Sequence, residues 1–276
     1  ICEISENFSV AYYVEKAGSI INKIAKQNKI PIIAGGTGLY IDSLLNNTDF
    51  KQADIASCQI IAGKKSCETC YSRCLDCPHT VNVQSNRSTT GKEREKLEKL
   101  LAEKGSNHLH NLLKEIDENA AEQIHPNNTG RIIRALEIYY ETGRTKTQYT
   151  ELSKRESPYD PIIIGLNTER EVLYERINNR VDEMIQNGLI QETEWLYKNN
   201  PSKTVLQAIG YKELKPYIDG KMSLEEAADI LKMQTRRYAK RQLTWFNKNQ
   251  QIHWLDFIKQ DSFIEAIKII EREWET

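Results

Sequence analysis

Five groups of residues in this chain have the types and spacings to do chemistry. The first is the turn Gly35-Gly36-Thr37-Gly38, set between an apolar run and a helical one. Glycines let a backbone approach a ligand closely, and a helix start offers free N–H groups. Thr37 adds a hydroxyl; an ordinary turn is the alternative. The second is the stretch Thr235–Phe246. Arg237 and Arg241 are four apart, as are Arg236 and Lys240, so two cationic rows share one helix side. Tyr238 and Trp245 are seven apart and form an aromatic stripe. Cations interleaved with aromatics suit a nucleic acid; the alternative is core aromatics with solvated cations. The third is Arg131 with Arg134, after His125-Pro126-Asn127-Asn128. Arginine at a helix start opposes the dipole, which points to an anionic partner. The fourth is Arg176 and Arg180, with Met184, at four-residue intervals. Glu175 and Asp182 offer them structural salt bridges as the alternative. The fifth is Cys67-x2-Cys70-x3-Cys74-x2-Cys77. Four thiolates can hold Zn²⁺, although the middle gap is shorter than in common zinc sites. A [4Fe–4S] cluster, a redox dithiol pair or a loop with free thiols also fits them, and disulfides are least expected. The histidines show no metal-ligand spacing and read as surface or capping residues.

The elements that must position these residues alternate between helix and strand. Ser9 suits an N-cap, and Val10, Tyr13, Val14, Ala17, Ile21 and Ile24 recur at helical spacing over 9–28. Ile30–Ala34 predicts a buried strand, and Leu39–Leu45 a helix. Residues 92–118 and 129–142 read as helices, the latter capped by Asn127 or Asn128. Pro161–Leu166 predicts a second strand. Thr168 with Glu171 has capping-box spacing and opens a helix to about Asn187, where Gly188 stops it. Ser223 with Glu226 is another capping box, opening the long helix with the cationic rows, and Ile252–Leu255 predicts a last strand. This order is that of a parallel sheet with crossover helices.

The chain has 276 residues, 28% of them charged, with a net charge of −1. Its mean hydropathy is −0.61. No apolar run reaches the roughly 18 residues of a membrane span, and no tripartite secretory pattern is visible, so a cytoplasmic protein is expected. The near-zero net charge argues against a nucleic-acid partner until it is resolved by segment. Residues 232–248 hold six basic residues and no acidic one, while 161–231 hold 8 basic and 12 acidic. The basic charge is concentrated on one element.

Taken together, FSVAYY (8–13), IPIIAGGTGLYIDSLL (30–45), IHPNNTGRIIRALEIY (124–139), GLNTEREVLYERINNRVDEMIQNGLIQE (165–192), LQAIGYKEL (206–214) and TRRYAKRQLTWF (235–246) resemble the tRNA dimethylallyltransferase (IPP transferase) family. The resemblance implies transfer of a dimethylallyl group from its diphosphate to N6 of the adenosine beside the anticodon. It also implies an α/β, P-loop NTPase-like, nucleotide-binding (ATP-binding type) core with a helical insertion. The core would take residues 1–50 and 156–276. The insertion, gripping the tRNA anticodon stem-loop, would take 51–155, with the Cys-rich segment at about 51–90. Carried over, Thr37 lies in the turn, with Gly35 and Gly36, that meets the target nucleotide. Arg180 neutralises the leaving pyrophosphate with Mg²⁺. Arg131, Arg134, Gln207, Gly210, Tyr211, Lys212, Arg237, Lys240, Arg241, Gln242 and Trp245 contact tRNA. A monomer, with no membrane partner, is expected.

Two departures qualify these expectations. The family's P-loop and the Asp-Ser-x-Gln segment with its general base have no counterpart here, so an N-terminally truncated, catalytically incomplete chain is expected. Residues from about Lys51 to Ser88 match none of its motifs. The alternative functions are a non-catalytic tRNA-binding remnant and an adenylate isopentenyltransferase; the insertion and the arginines after His125 favour RNA over free adenylate.

Overall fold

Ser9 accepts the Tyr12 N–H at 3.2 Å and opens α1 (Val10–Ala25). That bond satisfies one of the donors a helix start leaves unpaired. The structure, a computed structural model, describes residues 2–48, 92–153 and 156–274. α1 packs on α2 (Gly38–Leu45) through aromatic rings. Phe8 meets Tyr12 edge-on, and Tyr13 stacks on Tyr40 with centroids 4.9 Å apart. Burial pushes both the Tyr13 and Tyr40 hydroxyls above the usual phenol range.

Between α1 and α2 the expected buried strand is not formed. Residues 30–34 take no regular structure, and Ile32 is 89% exposed. A strand needs a hydrogen-bonding neighbour as well as apolar side chains, and among the described residues none pairs with this run. The expected strand at Pro161–Leu166 does form, as β1 (Ile163–Asn167), and so does the last one, as β2 (Ile252–Asp256). They pair in parallel, Ile163 opposite Ile252 and Asn167 opposite Asp256. A parallel pair needs a long crossover. Here it comprises α7 (Arg170–Gln186), α8 (Leu189–Lys198), α9 (Lys203–Leu206), α10 (Tyr211–Ile218) and α11 (Leu224–Phe246), with α12 (Ser262–Trp274) following β2. Val181, Leu189, Leu214, Ala227 and Leu231 form the buried centre of the crossover. Its helices pack because each places an apolar stripe there; burying one leucine contributes about 1.5–3 kcal/mol.

One further expectation fails locally. α7 begins at Arg170 with Glu169 at the N-cap and no side-chain cap bond. Thr168 and Glu171 are thus one position out of phase with the N-cap and N3 sites that a capping box requires.

The chain divides into two compact units, residues Ile1–Asn46 with Ser157–Thr276, and residues Asn47–Glu156. The second contains α3 (Lys92–Ile116), α4 (Glu118–Gln123), α5 (Thr129–Thr142) and α6 (Lys146–Ser153). α3 is two helices in series, because Gly105 at φ 79° and ψ 172° breaks the helical geometry. Leu97, Leu109, Leu113, Ile124, Ile132 and Leu136 are among the residues of this unit's buried core. Asp117 ties the unit together. It caps α4 through the Ala120 N–H at 3.1 Å and accepts the Thr147 N–H and hydroxyl at 2.9 and 2.7 Å. Burial alone would raise this carboxyl, but the bonds from Thr147 and Ala120 and the charge of Lys146 hold it below the usual carboxylate range.

Candidate nucleic-acid interface

α11 is built as two halves. Its start is the capping box read from the sequence: the Ser223 N–H donates to Glu226 Oε2 at 2.9 Å, and the Glu226 N–H donates to Ser223 Oγ at 3.2 Å. The bonds from the Ser223 backbone and hydroxyl hold the Glu226 carboxyl below its usual range. Ala227 and Leu231 then enter the core. Lys232 Nζ lies 2.6 Å from Asp182 Oδ1. Arg236 Nη1 donates to Asn178 Oδ1 at 2.6 Å, and its guanidinium sits over the Tyr174 ring. These two cations bind α11 to α7, the helix that carries Arg180.

Arg180 is exposed and forms no ion pair among the described residues. The alternative of structural salt bridges from Glu175 and Asp182 to Arg176 and Arg180 is therefore not what forms. Glu175 adjoins Arg176, and Asp182 is two residues from Arg180; neither spacing puts side chains on one helix face. Asp182 serves Lys232 instead, and the Arg176 guanidinium covers the Phe257 ring at 4.9 Å.

The second half of α11 presents its charge outward. Arg237, Lys240 and Arg241 are exposed, with no carboxylate partner among the described residues. Arg241 leans over the Tyr238 ring. Two uncharged polar groups on this half face inward. Gln242 Nε2 donates to the Gly36 carbonyl at 2.8 Å, and the Trp245 indole N–H donates to Asp42 Oδ2 at 2.8 Å. This contact explains two of the glycines. A Cβ at Gly36 would sit 2.1 Å from Gln242 Nε2, and one at Gly38 would sit 2.3 Å from Trp245 Cδ1. The close approach made at Gly36 and Gly38 is thus to the basic helix. At Gly35 the space is open. Thr37 is exposed at the N-cap of α2, yet its hydroxyl makes no capping bond and is left available to a ligand.

The LQAIGYKEL segment is held by its own acids. The Gly210 N–H, at φ 116°, donates to Glu213 Oε2 at 2.9 Å. The Tyr211 hydroxyl donates to Glu192 Oε1 at 2.6 Å, and that bond, with burial, pushes the phenol up to about 12. Gln207 and Lys212 remain exposed.

In the helical unit, Arg131 is exposed at the start of α5. Arg134 is engaged by Glu137, a buried carboxylate, at 2.8 Å. Asn128 takes the N-cap position without a side-chain bond. His125 Nδ1 accepts the Asn127 N–H at 3.1 Å, and the His110 ring bonds the Ala121 and Ile124 carbonyls at 3.1 and 2.9 Å. His110 therefore caps the C-terminal end of α4, and His125 closes the turn before α5.

Asp42, Asn178, Glu192 and Glu213 are the residues of this arrangement that the sequence reading missed. Glu213 had a usable signal, three residues after Gly210 at capping-box spacing. Asp42 and Asn178 had none, because their partners lie far away in the chain. Cys67, Cys70, Cys74 and Cys77 lie outside the described residues. Among the described residues no three His, Cys, Asp or Glu side chains converge to hold a metal ion, and no helix is long and apolar enough to cross a membrane.

The chain is similar to known proteins along nearly its whole length. A tRNA dimethylallyltransferase from Alkaliphilus metalliredigens (strain QYMF) is 41% identical over 271 residues, 97% of this chain and 76% of that protein. The crystal structure of the full-length tRNA isopentenylpyrophosphate transferase from Bacillus halodurans is 36% identical with a TM-score of 0.59, covering 100% of this chain and 78% of that one. A eukaryotic dimethylallyltransferase acting on tRNA is 26% identical with a TM-score of 0.67, covering 98% of this chain and 62% of that one. The expected helix-rich, P-loop-like α/β class therefore holds. The IPP transferase description matches residues 1–249, a span that runs through residues 51–88. The chain belongs to the IPP transferase family.

Proposed function

We propose that this chain serves in tRNA modification, transferring a dimethylallyl group from dimethylallyl diphosphate to N6 of the adenosine 3′-adjacent to the anticodon. The observation that carries this reading is the exposed row Arg237, Lys240 and Arg241 on a helix bonded to the turn of Thr37. Family membership supplies the reaction class. In this reading residues 1–50 and 156–276 form the catalytic core, and residues 51–155 form the insertion that grips RNA.

The chemistry assigns distinct tasks to these groups. N6 of adenine is a weak nucleophile, because its lone pair is delocalised into the ring. The allylic carbon becomes a good electrophile once charge on the departing diphosphate is stabilised. As the N6–carbon bond forms, the carbon–oxygen bond breaks, pyrophosphate leaves, and N6 gives up a proton to the general base that the family carries in its Asp-Ser-x-Gln segment. Arg180 supplies positive charge to the leaving group. The adenosine must leave its stack to react, and in this reading the Thr37 hydroxyl hydrogen-bonds it, a role supported by its exposure and its lack of a capping bond. Arg237, Lys240, Arg241, Lys212 and Arg131 take phosphates of the stem-loop. Trp245 and Tyr211 use their N–H and O–H within the protein, so their ring faces are the parts left for RNA. Arg134 is largely committed to Glu137. Mg²⁺ usually binds through one or two carboxylates plus substrate phosphates. When bound, it would supply positive charge to the departing diphosphate together with Arg180.

The test is incubation of the protein, extended by the P-loop and general-base segment that the family carries, with dimethylallyl diphosphate and an anticodon stem-loop RNA. A five-carbon unit added to the adenosine is expected, with Arg180→Ala abolishing transfer but retaining RNA affinity. Salt-sensitive binding without transfer would indicate an RNA-binding chain. Preference for adenosine monophosphate would indicate the adenylate enzyme, and neither binding nor transfer would overturn the reading.

A further inference from the structure

The glycine turn and the basic helix are joined at two points. Gln242 holds the Gly36 carbonyl, one residue before Thr37, and Trp245 holds the Asp42 side chain in the middle of α2. Both bonds are 2.8 Å, and both depend on glycine at the point of approach, since a Cβ at Gly36 or Gly38 would collide with these side chains. Thr37 itself has no side-chain bond to fix it. Its place is set by its neighbours: Gly36 is fixed before it, and α2 is fixed after it. Among the described residues, no strand pairs with residues 30–34 to hold the turn from the other side.

We infer that Asp42 and Gln242 are positioning residues that lock the Thr37 turn onto the RNA-facing helix through Trp245 and Gly36. This rests on the reading of Thr37 as the residue that meets the target nucleotide. It reassigns the polar ends of Gln242 and Trp245 from RNA contact to alignment within the protein, and it gives Asp42 a role. The same helix is bonded to α7 by Arg236 and Lys232. A single rigid helix therefore references both Arg180 and Thr37, the two groups that must be in register for an attack on the allylic carbon. Misplacement of a reacting group by about 1 Å can cost about 100-fold in rate.

The experiment compares Asp42→Ala, Asp42→Asn and Gln242→Leu in the protein bound to an anticodon stem-loop RNA. Hydrogen exchange at the amides of residues 36–41 is expected to speed up at least about tenfold in Asp42→Ala and Gln242→Leu. Asp42→Asn keeps an acceptor for the indole N–H and is expected to restore slow exchange. RNA affinity should change less than about twofold, while in the protein extended by the family's P-loop and general-base segment kcat for prenyl transfer falls about ten- to 100-fold with KM unchanged. Unaltered exchange would overturn the inference. So would a loss of RNA affinity with kcat intact, which would make these side chains direct RNA contacts. The exchange readout needs no turnover, so failure of the transfer reading and failure of this inference are distinguishable.

Discussion

The two halves of helix α11 are made of similar residues and do opposite work. Lys232 and Arg236 in the first half each find a polar partner on α7, at 2.6 Å in both cases. Arg237, Lys240 and Arg241 in the second half find no carboxylate among the described residues. The first half also buries Leu231, which is 1% exposed, whereas Trp245 in the second is 39% exposed. The same kind of cation is thus structural where the facing helix offers an acceptor, and available to an external anion where it does not. Charge on a helix acquires a function from what stands opposite it.

The comparison can be broken most forcefully at Leu231. Leu231→Ala leaves a cavity between α7, α10 and α11 and should cost about 2–5 kcal/mol, read by denaturant unfolding. In the other half, Arg237→Ala with Arg241→Ala should leave unfolding within about 0.5 kcal/mol of the parent. That pair should instead weaken stem-loop binding about tenfold or more and lower the salt slope by about one per arginine. If the double variant unfolded the protein, the division of labour between the halves would be wrong.

Smaller effects sharpen the same contrast. Ser223→Ala removes the cap of the first half and should cost about 1 kcal/mol, measured by thermal unfolding. The capping box also predicts a pH response. The folded Glu226 carboxyl lies below its usual value, so its contribution is present above the unfolded pKa and is lost as pH falls through the folded one. Acid titration of stability should show this loss in the parent and a weaker one in Ser223→Ala. Lys232→Ala should be the mildest, at or below about 1 kcal/mol, since Asp182 is half-exposed and solvent screens the pair. Its stability cost should shrink further at high salt, with RNA affinity unchanged.

What was legible in the sequence follows the range of the interactions. Ser9 and the Ser223–Glu226 pair announced their helices because capping is settled within four residues. Thr129–Thr142 was legible from its apolar periodicity and ends at Gly143 in the left-handed region, where glycine is unstrained. β1 and the run at Ile30–Ala34 carried the same apolar signal, yet only β1 is a strand, because only it meets a partner in β2. Pairing is non-local, and composition does not encode it. The cationic rows were visible at once; their separation into bonded and free members was not. That division depends on Asn178 and Asp182, which only the packing of α7 brings opposite. Asp42 was silent for the same reason, its partner Trp245 lying 203 residues away in the chain.

The most direct test of the account is the salt dependence of affinity for an anticodon stem-loop RNA, measured for the parent and for Arg237→Ala with Arg241→Ala. The expected result is strong binding that falls steeply with salt in the parent, with a slope shallower by about two in the variant. Equal slopes, or binding indifferent to salt, would contradict the assignment of this helix half to the phosphate backbone.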